Sequence, residues 1–325
     1  MQTYEQALEQ GKEFLLLHDD YLIVSHVQPD GDAVSSTVMV GWLLSCLGKK
    51  FTMINEGPIP QRMQYLWNAD QILNASLQSP PKQFQQVICV DCADYERVGK
   101  VTHWFADEAN ILNIDHHPTN NGYGKVNIIK DDAAATAEIL YDLVEACGVA
   151  WDKEAATAAY TGLLTDTGGF RYSSTSPKVM KIASDLLALG VNGPELAERL
   201  LEEITLPQLK VLTRALNTLS ISEDGQIAWV VVTPEDMTEC GAQNDDLEGI
   251  VNYPRNIQGV EVGILFKVIS DEVAKVSFRS AGKVDVAALA QGFGGGGHVR
   301  AAGARVEGPW QDTVNEVVER VKSQL

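Results

Sequence analysis

The sequence predicts an α/β protein of two domains: a parallel sheet covered by helices, then a helical connector, then a smaller α/β domain. Three observations carry that prediction. Through the first half, short and wholly apolar runs alternate with helical patterns, as buried parallel strands alternate with their crossover helices. The texture then changes to longer β-branched runs, two of them separated only by Ser270-Asp271-Glu272, the spacing of a hairpin. A length of 325 residues suits about two domains.

In chain order, residues 4–17 have helical apolar spacing, and Tyr21-Leu22-Ile23-Val24 reads as a buried strand. The stretch His26-Val27-Gln28-Pro29-Asp30-Gly31-Asp32 is expected as a loop, marked by Pro29 and Gly31, before a helix over 33–47. Residues 51–54 form a second strand and 59–67 a short helix. The run 87–90 ends in Asp91, and Asp94 is placed to cap the helix that follows. The run 111–114 ends in Asp115-His116-His117. Asp131 and Asp132 precede a helix over 133–147. Another runs from 152 toward Gly162-Leu163-Leu164-Thr165-Asp166-Thr167, and two more cover 177–189 and 194–219. Strands are then expected at 227–232, 260–269 and 273–278, with helices at 245–253, 284–291 and 310–322. Four consecutive glycines, Gly294 to Gly297, precede His298 between the last two helices. The expected domains are 1–190 and 223–325, with 191–222 as the connector.

Composition narrows the function classes. Hydrophobic content of 45% and charged content of 21% are ordinary for a soluble globular protein. No apolar run approaches the ~18 residues of a membrane span, and the N-terminus lacks the basic-then-apolar pattern of a signal peptide. No membrane association and a cytoplasmic location are the expectations. Five cysteines, an odd and scattered number, make no disulfide framework. Cys89 and Cys92 have CxxC spacing, but no second thiol pair completes a zinc site, and Cys89 lies within an apolar strand. A net charge of −19 argues against a protein that coats long nucleic acid, and no long-duplex binding is expected. It leaves room for a small phosphorylated substrate gripped by a few local cations.

The polar residues at the strand ends form one constellation: His26, Asp30, Asp32, Asp91, Asp115, His116, His117 and Asp166. Parallel strands deliver ligand-binding side chains at their carboxyl ends. So many carboxylates at one sheet edge would repel unless a cation sat among them. Aspartate and histidine without thiolate suit manganese, magnesium or iron(II) better than structural zinc. Alternate residues of the His26–Asp32 loop can reach two metals, and Asp91 at a strand tip could bridge both. Two such ions ~3.5–4 Å apart stabilise charge on a phosphoryl group. Simpler readings exist for each part. Asp-Gly-Asp alone is usually a solvated turn, adjacent histidines can be structural, and Asp166 could merely end a helix. Independent turns have little reason to place acids after successive apolar strands, which favours the metal site.

Taken together, His26-x3-Asp30-x-Asp32, Val90-Asp91, Asp115-His116-His117 and Gly162-Leu163-Leu164-Thr165-Asp166-Thr167 resemble, in order, the motifs of the DHH phosphoesterase family. The run Gly294-Gly295-Gly296-Gly297-His298-Val299-Arg300-Ala301-Ala302-Gly303 is similar to the glycine-rich signature of the DHH-associated C-terminal domain, with one glycine more than the minimal form. The resemblance covers nearly the whole chain, and its layout is most similar to the oligoribonuclease and 3′-phosphoadenosine 5′-phosphate phosphatase branch. It implies a manganese-dependent phosphoesterase with two divalent ions and an active site in the cleft between the domains. It implies one ion on His26, Asp30 and Asp91, and another on Asp32, Asp91, His116 and Asp166. It further implies that Asp115 orients His116 and that His117 faces the substrate phosphate.

For the second domain, four glycines offer no side chains for packing and cost conformational entropy. The expectation is that their backbone amides approach phosphate, with His298 adding a donor; the simpler reading is a flexible hinge. Arg255, Arg279 and Ser280 join Gly295, Gly296, Gly297 and His298 as expected substrate contacts, with Arg300 and Arg305 weaker. The expected reaction is metal-activated hydrolysis of short single-stranded oligonucleotides or small nucleotides, 3′-phosphoadenosine 5′-phosphate among them. Cyclic dinucleotide hydrolysis is the alternative, and a nucleotide-binding regulator would have lost a ligand, whereas every expected ligand is present. A pyrophosphatase would have a different C-terminal domain, and a RecJ-like exonuclease an added module. The sequence leaves the oligomeric state open, a homodimer included.

Overall fold

A computed structural model describes residues 3–325. The chain divides into two compact units, Met1–Glu203 and Ile204–Leu325. The division falls inside the stretch expected as connector.

In the first unit the strands are β1 (Tyr21–Val24), β2 (Phe51–Asn55), β3 (Leu73–Asn74), β4 (Phe84–Val90), β5 (Phe105–Asp115) and β6 (Val126–Ile129). They form one parallel sheet in the order β3-β2-β1-β4-β5-β6. Alternation along each strand divides the residues between two faces. Tyr21, Ile23, Ile88, Val90, Leu112 and Ile114 join the core under the helices α1 (Tyr4–Leu17), α2 (Gly31–Cys46), α3 (Thr136–Cys147), α4 (Lys153–Asp166) and α5 (Pro177–Ala188). Leu22, Val24, Val87 and Cys89 face the other way, against Val98, Val101 and Trp104 of a 3₁₀ segment. Cys89 and Cys92 are buried free thiols, as core packing requires.

The strand order reverses between β1 and β4. The β1 crossover goes to β2 on one side, while β4, β5 and β6 extend the sheet on the other. At such a point the connections diverge and leave a crevice beyond the strand ends. The expected acids and imidazoles lie there.

Several element expectations need correction. The loop after β1 stops at Asp30, whose side chain accepts the Ala33 amide as the cap of α2, so Asp32 lies in the first helical turn. Asp94 does cap the segment that follows it. Residues 59–67 form only a 3₁₀ turn at Gln61–Met63. The helix expected over 194–219 is broken into α6 (Gly193–Ala197), a π-helical turn (Glu198–Glu202) and α7 (Leu206–Asn217), where Thr205 caps a fresh start ahead of Pro207. The helix expected over 245–253 is a 3₁₀ turn (Asn244–Leu247) followed by α9 (Asn252–Arg255), Gly249 at φ 79° standing between them. A helix expectation had passed over that glycine.

The second unit holds β7 (Ser220–Ile221), β8 (Ile227–Val232), α8 (Pro234–Cys240), β9 (Val262–Ser270), β10 (Val273–Ser280), α10 (Val286–Gln291), β11 (Gly296–His298), β12 (Ala301–Glu307) and α11 (Trp310–Lys322). Its sheet runs β11-β12-β10-β9-β8-β7, with β9 and β10 as the expected hairpin and β8–β9 the parallel pair. One face packs on α10 and α11 through Val276, Phe278, Ala302 and Ala304. The opposite face is covered by α7, α8 and the 242–251 segment over β8 and β9, through Val230, Val232 and Leu265.

Candidate metal centre and substrate face

β1, β4 and β5 are adjacent and end level: Val24 pairs with Cys89, and Val90 with Ile114. The next residues therefore emerge side by side. Asp91 turns out of β4 at φ 52°, a left-handed conformation costly for a side chain with a Cβ, and its amide is held by the Ile114 carbonyl at 3.0 Å. That turn aims a buried carboxylate at three imidazoles. His26 Nε2 lies 3.6 Å from Asp91 Oδ2 and 3.8 Å from Asp30 Oδ2. His116 Nε2 lies 3.6 Å from Asp91 Oδ1 and 3.3 Å from Asp166 Oδ2, at the last residue of α4. His117 Nδ1 stands 3.6 Å from Asp91 Oδ1.

The two imidazoles on either side of Asp91 are oriented alike. His26 Nδ1 bonds the Val27 carbonyl at 2.9 Å, and His116 Nδ1 the Ala133 carbonyl at 3.2 Å. Each ring is thus fixed by the nitrogen that faces away from the acids and presents Nε2 to them, the arrangement a metal-bound imidazole requires. The Nε2-to-carboxylate separations are longer than an ordinary N–H···O bond and suit neighbouring ligands of one cation held at ~2.1 Å. Ligand atoms within 4.8 Å of one another form the groups His26–Asp30–Asp91 and Asp32–Asp91–His116, with Asp91 in both. The residues present therefore fit two cations that share one carboxylate.

Electrostatics point the same way. Burial pushes the Asp32 carboxyl well above its usual range, and the charges of Asp91 and Asp30 push it further. Burial and the charges of Asp32, Asp30 and Asp91 do the same to Asp166. Burial would depress His26, but Asp30 and Asp91 overcome it and push it up to about 10. Burial would raise Asp91, but the imidazoles of His26, His117 and His116 hold it below the carboxylate range. The cluster as built is short of positive charge.

Asp32 owes its position to helix packing. Its Oδ2 accepts the Thr136 amide at 2.6 Å and its Oδ1 the Ala137 amide at 3.1 Å, at the start of α3, where the helix dipole favours an anion. Gly162 of α4 makes room for it: a Cβ there would stand 2.6 Å from Asp32 Oδ1. Sequence reasoning passed over Thr136, whose hydroxyl also donates to Asp91 Oδ1 at 3.2 Å. It sits in an alanine-rich run that reads only as helix.

Asp115 departs from its expected role. It does not orient His116, which the Ala133 carbonyl holds; it accepts from His117 Nδ1 at 2.8 Å. The two rings lie edge to face, 4.7 Å apart, and both reach Asp91 Oδ1, but only His117 turns Nδ1 back onto the carboxylate two residues before it. Asp115 is fully buried, and its other oxygen accepts from Asn120 Nδ2 at 2.6 Å. Asn120 also donates to the Cys92 carbonyl at 3.2 Å. In the sequence it looks like one more turn residue of Pro118-Thr119-Asn120-Asn121-Gly122. Burial lowers His117, but its bond to Asp115 and the charge of Asp91 prevail and raise it.

In the second unit the structure brings two expected contacts, His298 and Arg279, onto one row. His298 pairs with Ala301, Ala301 with Arg279, and Arg279 with Gly263, so their side-chain positions share a sheet face. Arg255 backs onto the same row: a Cβ at Gly263 would lie 2.4 Å from its backbone nitrogen. Ser280 does not join them. It points to the opposite face, is 2% exposed, and donates to the buried Glu261 carboxylate at 3.0 Å. The glycines also need correction, because packing does require two of them. A Cβ on Gly295 would fall 2.1 Å from the Gly303 carbonyl oxygen, and one on Gly297, at φ 142°, 2.5 Å from that of Ala301. These glycines let β11 lie against β12. Gly294 and Gly296, with nothing within 4 Å of a Cβ, are the open ones.

Residues 20–163 match the model of the DHH family N-terminal domain, and residues 222–325 that of the DHHA1 domain. A bifunctional oligoribonuclease and PAP phosphatase of Thermus thermophilus is 34% identical over 93% of this chain and 89% of its own length. The chain belongs to the DHH family. As a DHH protein it is a phosphoester hydrolase. The Bacillus subtilis bifunctional oligoribonuclease and PAP phosphatase is 28% identical, covering 89% of this chain and 90% of that one. Among solved structures, an exopolyphosphatase-related protein of Bacteroides fragilis superposes with a TM-score of 0.86 at 25% identity, over 98% of this chain and 95% of that one. RecJ of Thermus thermophilus, solved with Mn²⁺, shares the fold at a TM-score of 0.55 and 13% identity, over 98% of this chain and 54% of that one. Acid and imidazole clusters able to hold metal are thus set in a DHH phosphoesterase fold. No helix among the described residues is long and apolar enough to cross a membrane.

Proposed function

We propose that this DHH phosphoesterase hydrolyses short single-stranded oligonucleotides to mononucleotides and 3′-phosphoadenosine 5′-phosphate to AMP, with two manganese ions. The observation that carries the reading is the sharing of Asp91 between two ligand groups whose imidazoles are locked in the ligating orientation. The substrate class is supported by relatives of that name aligned over nearly their full length. His26, Asp30 and Asp91 would hold one ion, and Asp32, Asp91, His116 and Asp166 the other. When bound, the ions supply Lewis-acid stabilisation of the phosphoryl group and lower the pKa of water.

The chain's own residues do the rest. Asp115 fixes His117 by Nδ1, so that Nε2 is the nitrogen available for the proton of the leaving oxygen. Thr136 steadies Asp91, and the α3 amides steady Asp32, so the carboxylates need not reorganise during reaction. Arg255, Arg279 and His298 would anchor a substrate phosphate, with the Gly296 backbone beside them.

The test is a turnover panel with manganese supplied. Dinucleotides and five-mers should release mononucleotides, and 3′-phosphoadenosine 5′-phosphate should release AMP. Turnover confined to pyrophosphate or to cyclic dinucleotides would overturn the assignment.

A further inference from the structure

Beyond the Arg279 row, the same sheet face carries a second row of cations. Lys275 pairs across the sheet with Lys267 on β9 and with Arg305 on β12. Like charges placed directly opposite one another destabilise a sheet. In a chain of net charge −19, carboxylates to neutralise such a row are plentiful. Yet among the described residues none of the three side chains has a carboxylate within 4.0 Å. Lys267 donates to the Asn244 side-chain amide, and burial, then repulsion from Lys275, pulls its ammonium down. Glu307, the next acid on that side of β12, is exposed and makes no ion pair with the row. A repulsive row left unneutralised has no stabilising role in the fold.

The ground between the two rows is low. Across β10, β12 and β11 the intervening register row is Ser277, Gly303 and Gly296, and at its β9 end Leu265 is buried under the covering helices. A Cβ on Gly303 would meet only the Val276 carbonyl oxygen, at 3.2 Å, and one on Gly296 would meet nothing within 4 Å. Residues 275, 277 and 279 alternate onto one face, so four residues, ~13 Å at ~3.3 Å each, separate the rows. A stacked single strand covers that distance in about four nucleotides at ~3.4 Å each, and an extended one in fewer.

We propose that Lys267, Lys275 and Arg305 form a second phosphate-binding row. It holds the backbone of an oligonucleotide whose end is anchored at Arg279 and His298, and so favours substrates longer than a dinucleotide. This rests on the reading of the Arg279 row as the phosphate anchor. The occupant is a phosphodiester chain because the row offers regularly spaced cations, beside a floor that carries no bulky side chain on β10, β12 and β11.

The experiment measures KM and kcat, with manganese, for a dinucleotide, a five-mer and 3′-phosphoadenosine 5′-phosphate. It compares wild type, Lys275→Ala/Arg305→Ala and Arg279→Ala. The double variant should raise KM about tenfold for the five-mer alone, and the salt dependence of log KM should fall by about 0.7 per cation removed. Its unfolding midpoint should not fall, since repulsion is relieved. An unchanged five-mer KM, or an equal rise for all three substrates, would overturn the second row. Arg279→Ala separates the two failures: if it leaves every KM unchanged, the anchor reading itself is wrong.

Discussion

At the ends of β1, β4 and β5, carboxylates and imidazoles, mostly buried except Asp30, have their polar atoms 2.8–3.8 Å apart. On the C-terminal sheet, by contrast, Arg279 and His298 are half-buried and two strands apart in register. The first region concentrates charge that its own surroundings penalise, and holds each group by a second contact: a backbone carbonyl, a helix start, a neighbouring acid. The second spreads its charge over a half-buried surface. Chemistry needs the former, because a reacting centre is served by groups that do not move. Binding needs only the latter. Substitutions in the first region should therefore abolish turnover, whereas those in the second should be graded and appear in KM.

The sharpest way to break this contrast is Asp91→Asn. Loss of the shared carboxylate should lower kcat by at least about 10³-fold and reduce manganese content, measured by steady-state kinetics and metal analysis. Retained turnover would reduce the cluster to a structural feature. Next in size, His117→Ala should cost about 10²-fold in kcat, with metal content kept. Asp115→Asn should follow it, while the same readouts on His116→Ala should show metal lost. If Asp115→Asn instead depleted metal, Asp115 would be serving His116 after all.

That last distinction marks where the sequence stopped being legible. Apolar runs ending in Asp91 and in Asp115-His116-His117 declare a sheet edge rich in ligands, because strand burial is written in β-branched residues and the acids follow directly. Which imidazole Asp115 supports depends on how the chain leaves β5, and no residue type records that. Asp32 was expected in a loop because Gly31 reads as a breaker, but Asp30 caps the helix first. The glycine run, expected to offer backbone amides to phosphate or to flex as a hinge, is in part a strand. Glycine has poor strand propensity, and the need for it lies in the approach of β12, far from any local pattern. Ser280 follows an expected contact in sequence and faces away from it in the sheet, since alternation reverses at each residue.

A third test uses the charge deficit itself. Asp32 and Asp166 are raised, so in metal-free protein their ionisation opposes folding once pH climbs above the unfolded carboxyl value of about 4. His26 is raised as well, so the stability its charge contributes is whole below about 6.5 and lost as pH rises toward about 10. Asp91, lowered, acts in the opposite sense only at acid pH, near and below about 4. The denaturant midpoint of chelator-treated protein should thus be lower at pH 9 than at pH 6, and manganese should narrow the difference. A midpoint that rises with pH would contradict the assigned shifts.

The smallest effects separate the glycines. Gly295→Ala should destabilise the C-terminal unit by about 1–3 kcal/mol, because its Cβ has no space beside β12. Gly296→Ala should stay within about 0.5 kcal/mol. Thermal unfolding distinguishes them, and equal losses would mean that the close approach of β11 to β12 does not govern.

The central claim is that one carboxylate, Asp91, serves two cation sites at once. Titration of metal-free protein with manganese, followed by electron paramagnetic resonance, tests it directly. The account predicts two ions per chain with the spectrum of a coupled pair, and loss of that coupling in Asp91→Asn. A single ion per chain, or two that show no coupling in the wild type, would contradict it.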